Sequence, residues 1–271
     1  MKKLLSPKNL LIFSIFYLFF YEFVLMRFDE IIPGVSAGMG RIFNTLAAGY
    51  IPSYVVYYLV TEIPRKKELD IAKKQILDLK NHIVQDISTI IAELNLAKDK
   101  ELQNKVNDPN IDMDTFIPKS LHYSKVNGTL KVPEITEQFI IESCKLIYPQ
   151  KETFTAEIIT NYTGQGTSIS IMKMPWLTFL TKLVVSTSGH IDVILKYSNY
   201  ISIEELGELQ DIRNSNFTSY ILNFEKSFQN MQASHRKSWE GDFSEFLWEY
   251  YNLIRVMNDQ EQIINKTLDE Q

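Results

Sequence analysis

Cysteine is nearly absent: Cys144 stands alone in 271 residues. That excludes an internal disulfide framework and any zinc site built from several thiolates. Histidine is almost as scarce. His82, His122, His190 and His235 are the full set, and none stands at a metal-ligating spacing such as His-x-x-x-His. Ten glycines and nine prolines are too few for a collagenous or linker-like chain. Positive charge is not in excess either. The 28 Lys and Arg against 33 Asp and Glu leave a formal −5, which argues against a general nucleic-acid binder. Gly164-Gln165-Gly166-Thr167-Ser168 has the glycines of a phosphate loop but not the lysine that would reach a phosphate. No Ser, His and Asp set has a nucleophile-elbow setting. There is no internal repeat. No reaction, metal or cofactor is announced, and a non-enzymatic protein is expected.

Apolar residues, by contrast, are plentiful and unevenly placed. The mean hydropathy of −0.11 hides an oily N-terminal region followed by a polar remainder. Leu10 to Met26 reads LLIFSIFYLFFYEFVLM, with Glu22 as its one charge. As a helix it spans about 26 Å, at the short end for a hydrocarbon core of about 30 Å. Ser6-Pro7 supplies a helix start, and Lys8 can snorkel to the head groups. Ile42 to Val60 reads IFNTLAAGYIPSYVVYYLV, uncharged, about 28 Å as a helix. Its Tyr57 and Tyr58 fit the aromatic belt of a membrane interface. A cleaved secretory signal is the rival for the first run. Arg27, Asp29 and Glu30, however, separate it from the small-residue site Ser36-Ala37-Gly38.

The expectation is therefore a two-helix transmembrane hairpin over residues 1–64. A membrane-proximal long helix follows over 65–106, then a helical cytoplasmic domain over 107–271, mainly α with minor β possible. Lys2, Lys3 and Lys8 precede the first span, and Arg65, Lys66, Lys67, Lys73 and Lys74 follow the second. Arg27 and Arg41 are the basic residues of the connecting loop, about 27–41. Positive residues inside then put both termini in the cytoplasm. The sequons at Asn127, Asn161, Asn216 and Asn265 would face the cytosol on this topology and read as chance.

Beyond Pro64, Leu69, Ile76, Ile83 and Ile90 recur every seven residues. The companion stripe Ala72, Leu79, Asp86 and Glu93 turns acidic. Two readings stand: a coiled-coil seam between copies, or one amphipathic helix packed on its own domain. Turn signals fill Asn107 to Gly128, with an extended piece at Thr129 to Val132. A helical pattern resumes at Pro133, placing Phe139, Ile140, Cys144 and Ile147 on one side. Thr153 to Ile171 mixes strand-forming residues with a Gly-Gln-Gly break. Helices are predicted over Pro175–Tyr197, Ile203–Ser215, Tyr220–Gln232 and Asp242–Lys266. Ser202 and Glu205 form a capping box, and the last helix offers an aromatic docking stripe.

Glu22 and Asn44 are the intramembrane polar candidates. An acid inside an apolar helix is costly, so it either pairs, with Arg27, Arg41 or Asn44, or lines a watery path between copies. Thr45, Gly49 and Ser53, spaced by four, form a small-residue stripe on which another helix can pack closely: the first span or a second copy. Pro52 should kink that helix.

NTLAAGYIPSYVVYYLVTEIPRKK (Asn44 to Lys67) resembles the second span of a group of two-span bacterial inner-membrane proteins. LGELQDIRNSNF (Leu206 to Phe217) is similar to their later part. Some members of that group are effectors of anti-phage systems, including those encoded beside certain retrons. The resemblance implies a multi-pass inner-membrane effector or toxin of an antiviral defence system. A partner would hold it silent: for a retron, the reverse transcriptase with its RNA–DNA product. Released, it would form homo-oligomers and disturb the lipid bilayer, without binding nucleic acid directly. The alternative is a passive membrane-anchored scaffold or sensor that grips a cytosolic protein.

Overall fold

In the computed structural model, residues 7–23, 36–106, 125–126, 129–154, 157–163, 166–228, 238–239 and 241–269 are described. They are mainly helical and divide into two compact units, Met1–Ile71 and Ala72–Gln271.

The first unit pairs α1 (Pro7–Phe23) with α2 (Ser36–Tyr57). Pro7 occupies the first helical position of α1, where its missing N–H costs nothing. The end of the first apolar run, at Met26, lies outside the described residues. Helix α2 starts at Ser36, inside the stretch expected to be loop. Its Ala47 is buried, the Tyr50 hydroxyl donates to the Pro7 carbonyl at 3.1 Å, and Phe43 meets Tyr17 edge-on. A π-helical turn, Tyr58–Glu62, follows without a break and leads into α3 (Ile63–Lys98). Pro64 explains it. A proline has no N–H for the carbonyl four residues back, and its ring crowds that carbonyl. Widening the preceding turn lets the helix continue, with the Ile63 N–H reaching back to Tyr58. Among the described residues, no helix is long and apolar enough to cross a membrane. Helix α1 has 17 residues, about 26 Å. Helix α2 is longer, but Asn44, Thr45, Gly49, Pro52 and Ser53 dilute its apolarity.

The second unit takes α3 from Ala72 onward. It continues with α4 (Lys100–Val106), the short pair β1 (Lys125–Val126) and β2 (Thr129–Leu130), and α5 (Glu137–Cys144). Next come the antiparallel hairpin β3 (Glu157–Thr163) and β4 (Gly166–Met172), and α6 (Trp176–Leu195). A 3-10 turn at Ser198–Tyr200 leads to α7 (Ile203–Arg213), α8 (Asn216–Phe228) and α9 (Phe243–Asp269). The β3–β4 register runs from Glu157 opposite Met172 to Thr163 opposite Gly166, and this resolves the ambiguous segment as strand. Thr136 caps α5 by accepting from the Phe139 N–H, and both bonds of the Ser202–Glu205 capping box are made.

The core forms where α9 docks, as its aromatic stripe foretold. Phe243, Leu247, Tyr250, Ile254 and Met257 recur at helical spacing and are buried with Phe179, Leu180 and Val184 of α6, Leu209 of α7 and Phe217 of α8. Helix α3 supplies Ile76, Ile83, Ile87, Ile90 and Leu94 to the same core, so it packs on its own domain. Several polar bonds fix it there, the pair of Lys98 with Glu142 of α5 among them. Tyr197 donates to Gln75, Lys80 to Glu205, the Leu130 N–H to Asn81, Thr187 to Asp86, and the Phe154 N–H to Glu93.

Candidate functional site

The helix pair of the first unit has almost nothing beneath it to cover. Helix α1 has no buried residue, and several of its aromatic rings point outward: Phe13 and Phe16 are each 66% exposed. On α2 and the π-turn, Leu46, Val56, Leu59 and Val60 are also exposed. Apolar side chains exposed side by side along a helix pair form a surface suited to an apolar partner.

Glu22 and Asn44 fall on opposite members of this pair. Glu22 is exposed near the end of α1, and Asn44 is half-buried on α2. Thr45, Gly49 and Ser53 are all exposed. The small-residue stripe therefore lies away from α1, whose contacts fall instead on Phe43, Ala47 and Tyr50. A Cβ added at Gly49 would meet no atom within 4 Å. The Thr45 and Ser53 hydroxyls turn back along their own helix, to the Arg41 carbonyl at 2.9 Å and the Gly49 carbonyl at 2.8 Å. Those local bonds satisfy the hydroxyls without a neighbouring helix.

Two grooves flank the contact. One, about 480 Å³, is lined by Leu10, Phe13, Tyr17, Phe43, Leu46 and Tyr50 and is apolar. The other, about 580 Å³, lies between the start of α1 and the π-turn, with both greasy and basic walls. Leu11, Val55 and Leu59 form the greasy part, and Lys8 and Lys66 the basic part. The Lys66 ammonium sits 5.9 Å above the Tyr58 ring. The Glu62 carboxylate in the same wall accepts from the Tyr57 hydroxyl at 2.9 Å. Sequence reasoning treated Lys8 and Lys66 as topology signals and did not bring them together.

In the second unit one group of polar residues meets on a seam between α3, α6 and α9. Asp86 accepts from the Thr187 hydroxyl at 3.0 Å. The Ser186 hydroxyl lies 3.2 Å from His190 Nε2, and the His190 ring stacks on His82. Burial pushes the Asp86 carboxyl up to about 6, against the hydrogen bonds of Thr187 and Ser186 and the charge of His82, which pull it down. Burial, and then His82, push His190 below its ordinary value. Burial also pushes the Tyr250 hydroxyl of α9 upward, opposed by its hydrogen bond with Thr187. A Ser, a His and an Asp meet here, but not as a hydrolytic triad. The acid bonds the hydroxyl groups of α6 instead of orienting the imidazole, so no relay runs from Ser through His to Asp. The Thr187–Asp86 bond ties α6 to α3 along this seam. Among the described residues no cluster of His, Cys, Asp and Glu is arranged to hold a metal ion.

No family model matches the chain, and neither does any curated protein or solved structure.

Proposed function

We infer that the chain is a non-enzymatic membrane effector. The α1–α2 pair enters the lipid bilayer, and the helical domain beginning at Ala72 receives the controlling signal. The observation that carries this reading is the outward aromatic and aliphatic surface of α1 and α2, which lipid would cover. Helix α1 as described is a few ångströms shorter than an average hydrocarbon core, a mismatch that local thinning of the bilayer accommodates at modest cost. Lys8 in the first turn of α1 and Arg65, Lys66 and Lys67 after the pair favour the cytoplasmic side for both ends.

The setting rests on the resemblance of Asn44–Lys67 and Leu206–Phe217 to two-span inner-membrane effectors. That resemblance supports a role in the bacterial inner membrane as part of an anti-phage system of retron or abortive-infection type. A partner, such as a reverse transcriptase with its RNA–DNA product, keeps it silent. On release, copies associate and the membrane loses its integrity.

The test is expression of the full chain in bacteria, alone and with its genomic neighbours. Expected are pelleted membranes that retain the chain through an alkaline wash, and depolarisation that disappears when the neighbour is present. A chain recovered in the wash supernatant contradicts the membrane reading. A chain that stays in the membrane without depolarising cells contradicts the effector reading, and favours the passive scaffold.

A further inference from the structure

We propose that the groove between the start of α1 and the π-turn is a binding site for one anionic glycerophospholipid. The phosphate is taken by Lys8 and Lys66, and an acyl chain lies along Leu11, Val55 and Leu59. Three features of the groove converge on that ligand. Its volume of about 580 Å³ is that of a small-molecule site. Its lining divides into an aliphatic wall and a charged rim, the division of a lipid with a head and a tail. Among the described residues its ionic groups are Lys8, Lys66 and Glu62, a rim with one net positive charge, which a phosphodiester with an uncharged head-group alcohol balances. Glu62 is engaged by the Tyr57 hydroxyl, and Tyr58 lies under the Lys66 ammonium.

The π-turn builds this site. It occupies Tyr58–Glu62, and Pro64 imposes it two residues later. The turn sets Leu59 and Glu62 in the same wall as Lys66. Single π-turns inside helices are costly and recur at functional positions. A regular helix would present a different set of side chains to Lys8. Pro64 thus has a consequence beyond its local effect on hydrogen bonding.

The inference takes its supply of lipid from the membrane reading above, but the two fail differently. Membrane retention tests that reading in cells, whereas the groove is tested on purified full-length chain in mild detergent. The chain is mixed with phosphatidylglycerol, phosphatidylcholine or inorganic phosphate, and bound ligand is counted by native mass spectrometry. The expected result is one phosphatidylglycerol retained, with affinity lower by roughly fivefold for Lys8→Gln or Lys66→Gln and about thirtyfold for the pair. Lys73→Gln/Lys74→Gln, two exposed lysines outside the groove, should bind as the parent does. Inorganic phosphate should not displace the lipid. Equal binding of phosphatidylcholine, displacement by phosphate, or a Lys8→Gln/Lys66→Gln affinity equal to that of the parent overturns the proposal.

Discussion

The ammonium of Lys80 lies 2.8 Å from Oε1 of Glu205, joining α3 to the first turn of α7 in a largely dry setting. Burial pushes the Glu205 carboxyl up, but Lys80 and the bonds from Ser202 outweigh it, leaving the carboxyl below its ordinary range. Removing one partner of such a pair costs more than the pair itself contributes, because an uncompensated charge stays behind. Lys80→Met should therefore destabilise the second unit by about 2–4 kcal/mol. Lys80→Met/Glu205→Gln should recover most of that, since Gln still completes the capping box. All three tryptophans, Trp176, Trp239 and Trp248, lie in this unit, so denaturant unfolding followed by tryptophan fluorescence reads it selectively. A double variant as weak as Lys80→Met would show that the pair is not the relevant interaction.

Asp86 gives the same unit a pH dependence of defined sign. Its carboxyl titrates at about 6 when folded, against an ordinary value of 3.8. Between those values the folded chain binds more proton than the unfolded one. The stabilisation is thus complete below about pH 4 and lost as pH rises to about 6. His190, pushed below its ordinary value, acts oppositely: its contribution is present above about pH 6.5 and lost as pH falls. Asp86→Asn removes only the first effect. The stability of the parent minus that of Asp86→Asn should fall by about 2 kcal/mol from about pH 4.5 to about pH 7.5. A pH-independent difference would mean that Asp86 is not held protonated.

Asp86 and Glu93 also show what the sequence could and could not say. Both interrupt an otherwise apolar heptad stripe, which weighed against a coiled-coil seam without excluding it. That much was legible, because a charged residue on a buried face is costly unless paired. Their partners were not legible. Thr187 of α6 and the Phe154 N–H come from chain segments far from α3, and no local pattern links them. Helices α6 to α9 were readable from periodicity and caps. The β3–β4 hairpin stayed ambiguous because Gly164-Gln165-Gly166 interrupts the run of strand-forming residues, and the pairing of its two halves is not a local pattern. The π-turn escaped because Pro64 looked like a helix start rather than a position a helix runs through. The basic groove needed Lys8 and Lys66 from different helices. The direction of the small-residue stripe needed the α1 contact to be known.

Glu93 is fully buried and accepts from the Phe154 N–H at 2.7 Å. A leucine at this position would leave that N–H without its acceptor inside the core, at a cost of about 1–3 kcal/mol beyond any change in packing. Glu93→Gln keeps an acceptor oxygen and should lose less. Paired unfolding curves for Glu93→Leu and Glu93→Gln check this. Equal losses would show that the side-chain acceptor is not what matters.

Cys144 ends α5 in a mostly apolar setting, and burial pushes its thiol up to about 12. The reactive species is the thiolate, so modification by a disulfide reagent at about pH 8 should be roughly a thousandfold slower than for a free thiol. Unfolding with guanidinium should release it. A fast reaction in the folded chain would mean that the end of α5 opens.

Gly49 separates packing within the helix pair from packing between copies. No atom lies within 4 Å of where its Cβ would be, and α1 rests instead on Ala47 and Tyr50. Gly49→Leu should therefore leave α1 on α2, and it raises helix propensity by up to about 1 kcal/mol. Ala47→Leu, by contrast, forces extra volume into the α1 contact, typically at about 1–3 kcal/mol. If copies associate through Thr45, Gly49 and Ser53, Gly49→Leu should stay in the membrane at the parental level and lose its power to depolarise cells. Comparing membrane-retained protein with depolarisation at matched expression resolves the point. Depolarisation equal to that of the parent would eliminate this stripe as the contact between copies, because the added side chain would then point into a space that no second helix enters.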